Sequence, residues 1–278
     1  MWIAAVNNRG HKLSSVMLTI RPTQLLTWCL VISICGSIEV SRADDLAETA
    51  YLNFSHPLVV EVLSDVDRPQ LSPRARARLI HDYVRDAIPF GFSKPFYDMS
   101  ASDVLRAGRG FSNNKATLFV ALLRGAGIPA RHRFVSLSSG VLTGLLGTGG
   151  PYLDHSLVEV SIDGRWVALD SFVLDRAFYT GAQALLGSDL GFGVRKGGSV
   201  DWDGVSPAFS QYHPDYVEFE FGVFTDIGTF YATADGVNNR LGFATTIAYA
   251  LVIGDANEKI ASIRTYGQQL LKEREHEQ

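Results

Sequence analysis

Three residues of the 278-residue chain, Ser112, His155 and Asp170, have the types and surroundings that acyl transfer needs. His155 and Asp170 fall in one predicted hairpin, HSLVEVSI and RWVALD around Asp163-Gly164, and Asp-Gly between alternating apolar runs is a strong two-residue turn signal. With Ile162 opposite Arg165, Leu157 falls opposite Asp170 and His155 opposite Phe172. Side chains alternate, so these four share one face, and His155 and Asp170 become diagonal neighbours about 7 Å apart. A carboxylate–imidazole hydrogen bond at that spacing would fix the ring tautomer and favour the imidazolium during proton transfer. Ser112 stands at the head of an apolar helical segment, where amide N–H groups and the helix dipole favour developing negative charge. A hydroxyl, a base and an orienting carboxylate make the set for attack on an ester or amide carbonyl. Each residue also has a plain structural reading: Ser112 as a helix N-cap, Asp170 as a strand cap, His155 as a satisfied core histidine.

Other chemistries find less support. His56, His81, His132, His155, His213 and His276 form no short-spaced ligand set, and nothing predicts that His132, Asp154 and His213 converge. Gly108-x-Gly110 lacks the rest of a nucleotide-loop fingerprint, so no metal and no cofactor is expected. Cys29 and Cys35 are the only cysteines, which excludes a disulfide framework, a thiolate metal site or a cysteine nucleophile downstream of them. Lys plus Arg number 25 against 29 acids, a net charge of -4, and no footprint for nucleic acid.

The elements that must position the trio are readable. LSPRARARLIHDYVRDAI predicts an amphipathic helix with Ser72 as N-cap, Pro73 at its first position and Pro89 as terminator. Leu79, Ile80, Tyr83, Val84 and Ala87 form its apolar face, with the arginines at 74, 76 and 78 on the wet side. SNNKATLFVALLRGAGIPAR predicts a second helix beginning at Ser112 or just after it. It is apolar on both flanks and therefore central, with Gly127 as cap and Pro129 beyond. HRFVSL reads as a strand, and the glycine-rich stretch 138–150 as a lid over a cleft or a slack junction. Trp166 alternates off the His155 face. Trp202 is a candidate cleft wall or surface contact. Residues 241–273 read as two helices.

The segment ASDVLRAGRGFSNNKATLFVALLRGAGIPARHRFV, followed by DHSLVEVSIDGRWVALDS, resembles the bacterial branch of the transglutaminase-like superfamily. SHPLVVEVL, YVRDAIPF and the NNR near residue 240 are in keeping with it, over roughly residues 48–240. The resemblance implies an α+β fold with a papain-like core, a buried nucleophile helix packed on an antiparallel sheet. It implies transamidation, amide hydrolysis or deamidation, with some members inactive. His155 matches the family histidine, Asp170 the family aspartate, and Arg131 a residue of structural role. The family's cysteine position holds Ser112, and Leu157 and Val158 replace a tryptophan often found after the histidine. Ser112 therefore has a third reading, the relic of a lost cysteine in a catalytically inactive binding or scaffold domain. Partners would be a peptide, protein or small amide substrate if the site is active, and a protein if it is not. Oligomeric state is not legible.

The uncharged run 25–38, LLTWCLVISICGSI, is short for a spanning helix, which needs about 20 apolar residues. With Arg21 before it, and Ser41 and Ala43 after, it fits a secretory signal cleaved near Ala43, particularly if translation starts at Met17. Export to a periplasmic or extracellular location is one expectation; an anchored or cytoplasmic chain is the other. The expected organisation is a signal or extension over 1–43, a transglutaminase-like domain over 44–240 and a helical extension over 241–278.

Overall fold

Every residue from Ser112 to Arg124 is buried, a pattern that a helix shows only when packed on all sides. The computed structural model describes residues 44–145, 152–186, 193–233 and 243–277. Its helices are α1 (Pro57–Val66), α2 (Pro73–Ala87), α3 (Ala101–Ala107), α4 (Ser112–Gly125), α5 (Arg176–Leu185), α6 (Ile227–Thr233) and α7 (Phe243–His276). The strands β1 (Ala130–Ser138), β2 (Tyr152–Ile162), β3 (Arg165–Leu169) and β4 (Val217–Phe224) form one antiparallel sheet in the order β3-β2-β1-β4. The central helix α4 lies against β1 and β2, with α2 and α3 packed on it as well. The architecture is the α+β arrangement expected, a buried helix on an antiparallel sheet.

Local chemistry accounts for the boundaries. Ser72 Oγ accepts the Ala75 amide and Pro73 opens α2. Beyond α4, Gly127 takes φ +74°, and the amides of Gly127 and Ile128 return to the carbonyls of Arg124 and Leu123. Arg124 is buried because its guanidinium meets three carbonyls: Ala130 at 2.9 Å, Ala47 at 2.8 Å and Thr225 at 3.1 Å. That one side chain joins the end of α4 to the sheet and to the start of the described chain.

Two expectations need correction. The apolar stripe of α2 is rotated: Leu79 is 39% exposed, while His81 and Arg85 are buried. The polar side chains stay inside because they are bonded, Arg85 to Asp82, Asp86 and the Val200 carbonyl, and His81 to Asp82 and Ser171. Of the neighbouring arginines, Arg74 and Arg78 are exposed as expected and Arg76 is partly covered. Arg76 pairs with Asp67 and caps the Ala126 carbonyl, and Arg74 and Arg78 hold the carbonyls of Asp203 and Trp202. The C-terminal stretch is one helix, α7, not two. No proline interrupts it, and each of its glycines, Gly254 and Gly267, costs a helix only about 1 kcal/mol. The amino-terminal run, most of the glycine-rich stretch and NNR lie outside the described residues. Among the described residues, no helix is long and apolar enough to cross a membrane.

The last helix reaches the core through a close crossing with α5. A Cβ on Gly267 would overlap the Ala177 carbonyl, and one on Gly181 would overlap that of Ile263. Nearby, Arg264 grips Asp175 (2.8 Å) and the Phe90 carbonyl (2.6 Å). Gly267→Ala is expected to lower unfolding free energy by about 1–3 kcal/mol through overpacking. Urea denaturation reads this directly, and an unchanged midpoint would contradict the crossing.

Candidate active site

The hairpin has the register deduced from its turn. Ile162 faces Arg165, Ser161 faces Trp166 and Val158 faces Leu169, with Asp163 and Gly164 both at positive φ as a two-residue turn requires. The ladder stops at Leu169, where the Asp170 amide turns to the Ala208 carbonyl (3.0 Å) instead of β2. Even so, the face holds: His155 Nε2 and Asp170 Oδ2 are 2.9 Å apart, and both residues are buried. The Asp170 carboxylate also accepts the amides of Ser210 (2.5 Å), Gln211 (3.3 Å) and Tyr212 (2.7 Å). A buried carboxylate needs such donors, and here the chain supplies three consecutive ones.

Ser112 is the first residue of α4, not its cap. Phe111 occupies the cap position with extended backbone. The Ser112 hydroxyl donates to Asn113 Oδ1 (3.2 Å), and Asn113 Nδ2 donates to Tyr231 Oη on α6 (2.9 Å). Ser112 and His155 both line one small, partly open cavity of about 30 Å³, walled by Phe90, Phe92, Phe111 and Gln211 and flanked by Val141, Leu142 and Leu153. That is room for a water or two. Among the described residues, no hydrogen bond joins Ser112 to His155. With Nε2 engaged by Asp170, Nδ1 is the ring nitrogen left for the cavity. All three candidates thus meet around one small cavity, with Asp170 behind His155.

Sequence reasoning missed the walls. The run PFGF at 89–92 supplies Phe90 and Phe92, and its aromatic density was the available signal. Gln211 and the amides of 210–212 carry no signal at all, because backbone donors have no residue type. Of the glycine-rich stretch, Ser139–Leu142 forms a short 3-10 turn whose Val141 and Leu142 flank the cavity. Trp166 stands opposite Ser161 and therefore shares the His155 face of the ribbon, contrary to expectation. It sits near the turn end of the hairpin, with the Arg131 guanidinium 3.9 Å above its ring. Trp202 is buried against His81, away from Ser112. A second serine–histidine–aspartate chain exists: His81 bonds Ser171 Oγ at 2.8 Å and Asp82 at 2.9 Å. Ser171 and His81 have no exposed surface, so that chain is a core element. Among the described residues, no three His, Cys, Asp or Glu side chains gather as a metal site.

Residues 61–171 match the sequence model of the transglutaminase-like superfamily. This segment is a transglutaminase-like core. It contains Ser112, His155 and Asp170. The core is similar to two solved structures. One is a "putative cysteine protease" from Cytophaga hutchinsonii, 20% identical with a TM-score of 0.39, over 52% of this chain and 45% of that one. The other is a "putative protease" from Parabacteroides distasonis, 16% identical with a TM-score of 0.30, over 46% of this chain and 26% of that one. The chain therefore spans under half the length of either. A search of curated protein sequences returns no match.

One turn along α4 from Ser112, the transglutaminase-like core buries a lysine completely. Lys115 Nζ donates to the Arg85 carbonyl at the end of α2 (3.0 Å). Burial pushes its pKa down to about 7; Asp175 and Asp86 pull it up, and Arg264 and Arg85 push it further down. An unfolded lysine titrates near 10.4, so between pH 10 and 7 the unfolded chain binds the proton more readily. Stability contributed by the neutral form is therefore lost as pH falls through that window. Lys115→Met should unfold at higher urea than the wild type at pH 7. Its advantage should shrink by about 2 kcal/mol at pH 9. A difference independent of pH would contradict the assignment.

Proposed function

We propose that this transglutaminase-like core is a serine-type acyl-transfer enzyme that hydrolyses or transfers ester or amide acyl groups. The observation carrying the proposal is the retained His155–Asp170 pair, with its carboxylate met by three amides, behind a cavity that also holds Ser112. In this reading Ser112 Oγ adds to the substrate carbonyl and its proton passes to His155 Nδ1. Asp170 holds the ring through Nε2 and stabilises the imidazolium. The carbonyl electron pair moves onto oxygen, which the first amides of α4 meet, because no intrahelical acceptor takes them. Collapse expels the amine or alcohol, which leaves with the proton from His155. Water or an acceptor amine, deprotonated by His155, then releases the acyl group from Ser112. The substrate would be a peptide, protein or small amide, entering once Val141 and Leu142 move off a cavity now too small for it.

A second reading, an inactive binding domain, draws on two observations. The cavity is too small for a substrate, and the Ser112 hydroxyl is directed at Asn113 and not at His155. An unassisted serine is also a weaker nucleophile than the thiol it replaces. Assays of wild type, Ser112→Ala and Ser112→Cys on ester, amide and glutamine substrates separate the two. Wild-type turnover that falls at least about 10²-fold in Ser112→Ala is the expected result. Turnover appearing only in Ser112→Cys would establish the relic instead.

A further inference from the structure

A second cavity, of about 480 Å³, lies apart from the one at Ser112. It opens between the start of α2 and the loop 195–209, a size suited to a small molecule. Two guanidiniums, those of Arg78 and Arg195, line it, together with the carboxylates of Asp201 and Asp203.

The acids are already engaged. Asp201 pairs with Arg176 and with Arg85. Asp203 accepts the amides of Ser206 and Val205 and the Ser206 hydroxyl, which hold its carboxyl down at about 2. The guanidiniums are less committed. Arg78 donates Nε to the Trp202 carbonyl (3.1 Å), the one hydrogen bond its side chain makes among the described residues. Arg195 has a buried Nε with no partner, and its Nη1 reaches the Tyr212 carbonyl only at 3.4 Å. The other buried side-chain nitrogen left unpaired among the described residues is His132 Nε2, sealed in the core. Arg195 Nε is itself shut off from the cavity, so what the two arginines can offer a ligand are their Nη donors, of which only Arg195 Nη1 has a partner among the described residues. The backbone of Gly197 and Gly198 lines the same wall without side chains in the way.

We infer that this cavity binds a small molecule through a carboxylate or phosphate group held between Arg78 and Arg195. Charge-assisted hydrogen bonds to guanidinium are the strong class, and both anions accept them in pairs. The site is separate from the Ser112 cavity, and the inference stands whether or not Ser112 acts. The two are nonetheless close in the chain, because the cavity's wall at Ala208 and Phe209 runs directly into the amides that hold Asp170.

Thermal unfolding of the full chain with inorganic phosphate or succinate, against sodium chloride of equal ionic strength, tests the inference. At about ten times Kd one of these anions should raise Tm by roughly 3–5 °C and saturate. The shift should vanish in Arg195→Gln. The exposed Arg78→Gln gives a second variant should Arg195→Gln fail to fold, and it should weaken the shift several-fold. Phosphate and succinate report separately which anion is preferred. No saturable shift with either, or an equal shift in the folded variants, overturns the inference.

Discussion

The candidate site depends on how one buried carboxylate is satisfied. Asp170 has no exposed surface, and it accepts from His155, from three successive amides and from the Ser210 hydroxyl. Leaving such a group with a missing partner costs about 3–5 kcal/mol, so the segment 208–212 is held to the end of the hairpin. The attachment is mutual, since the amides of Asp170 and Ser171 both return to the Ala208 carbonyl. One constraint therefore orients the His155 ring, ends β3 at Leu169 and places Gln211 on the cavity wall. In the proposed function the same residues serve folding and chemistry, and the pair would persist even in a chain that had lost turnover.

Ser112 is placed by a different device. Its helix is anchored at the far end by Arg124 across three carbonyls and near its head by Lys115 on the Arg85 carbonyl. Asn113 ties the first turn to Tyr231. Rigid placement suits a nucleophile, because geometry must be held before the reaction. It also means that the hydroxyl has a resting acceptor in Asn113, which it must leave to reach His155. In the proposed reading, the small cavity and this resting bond describe one state, and substrate entry and activation of the hydroxyl would both require movement near Ser112.

The parts legible in the sequence are those with a local period. Alternation around Asp163-Gly164 gave the register and the shared face of His155 and Asp170. The apolar flanks after Ser112 gave the central helix. What stayed hidden involves partners distant in sequence. The amides at 210–212 lie about forty residues beyond Asp170, in a glycine- and aromatic-rich stretch without periodicity. Lys115 reads as a polar residue on a helix until α2 supplies its carbonyl. Arg74 and Arg78 are exposed as their spacing implies, but the partners that partly cover Arg76, Asp67 and the Ala126 carbonyl, come from other segments. The helix start reads from the sequence as Ser112 or just after it, and it falls at Ser112 because Phe111 takes the extended position before it, so the alternative of Ser112 as a cap does not hold.

Labelling the folded wild-type chain with a fluorophosphonate and mapping the modified peptide by mass spectrometry tests the central claim most directly. A serine activated by His155 should carry the adduct at Ser112, and His155→Ala should abolish it while retaining a cooperative unfolding transition. Absence of the adduct from Ser112 in wild type, or equal labelling in His155→Ala, would contradict the claim that the His155–Asp170 pair activates this hydroxyl.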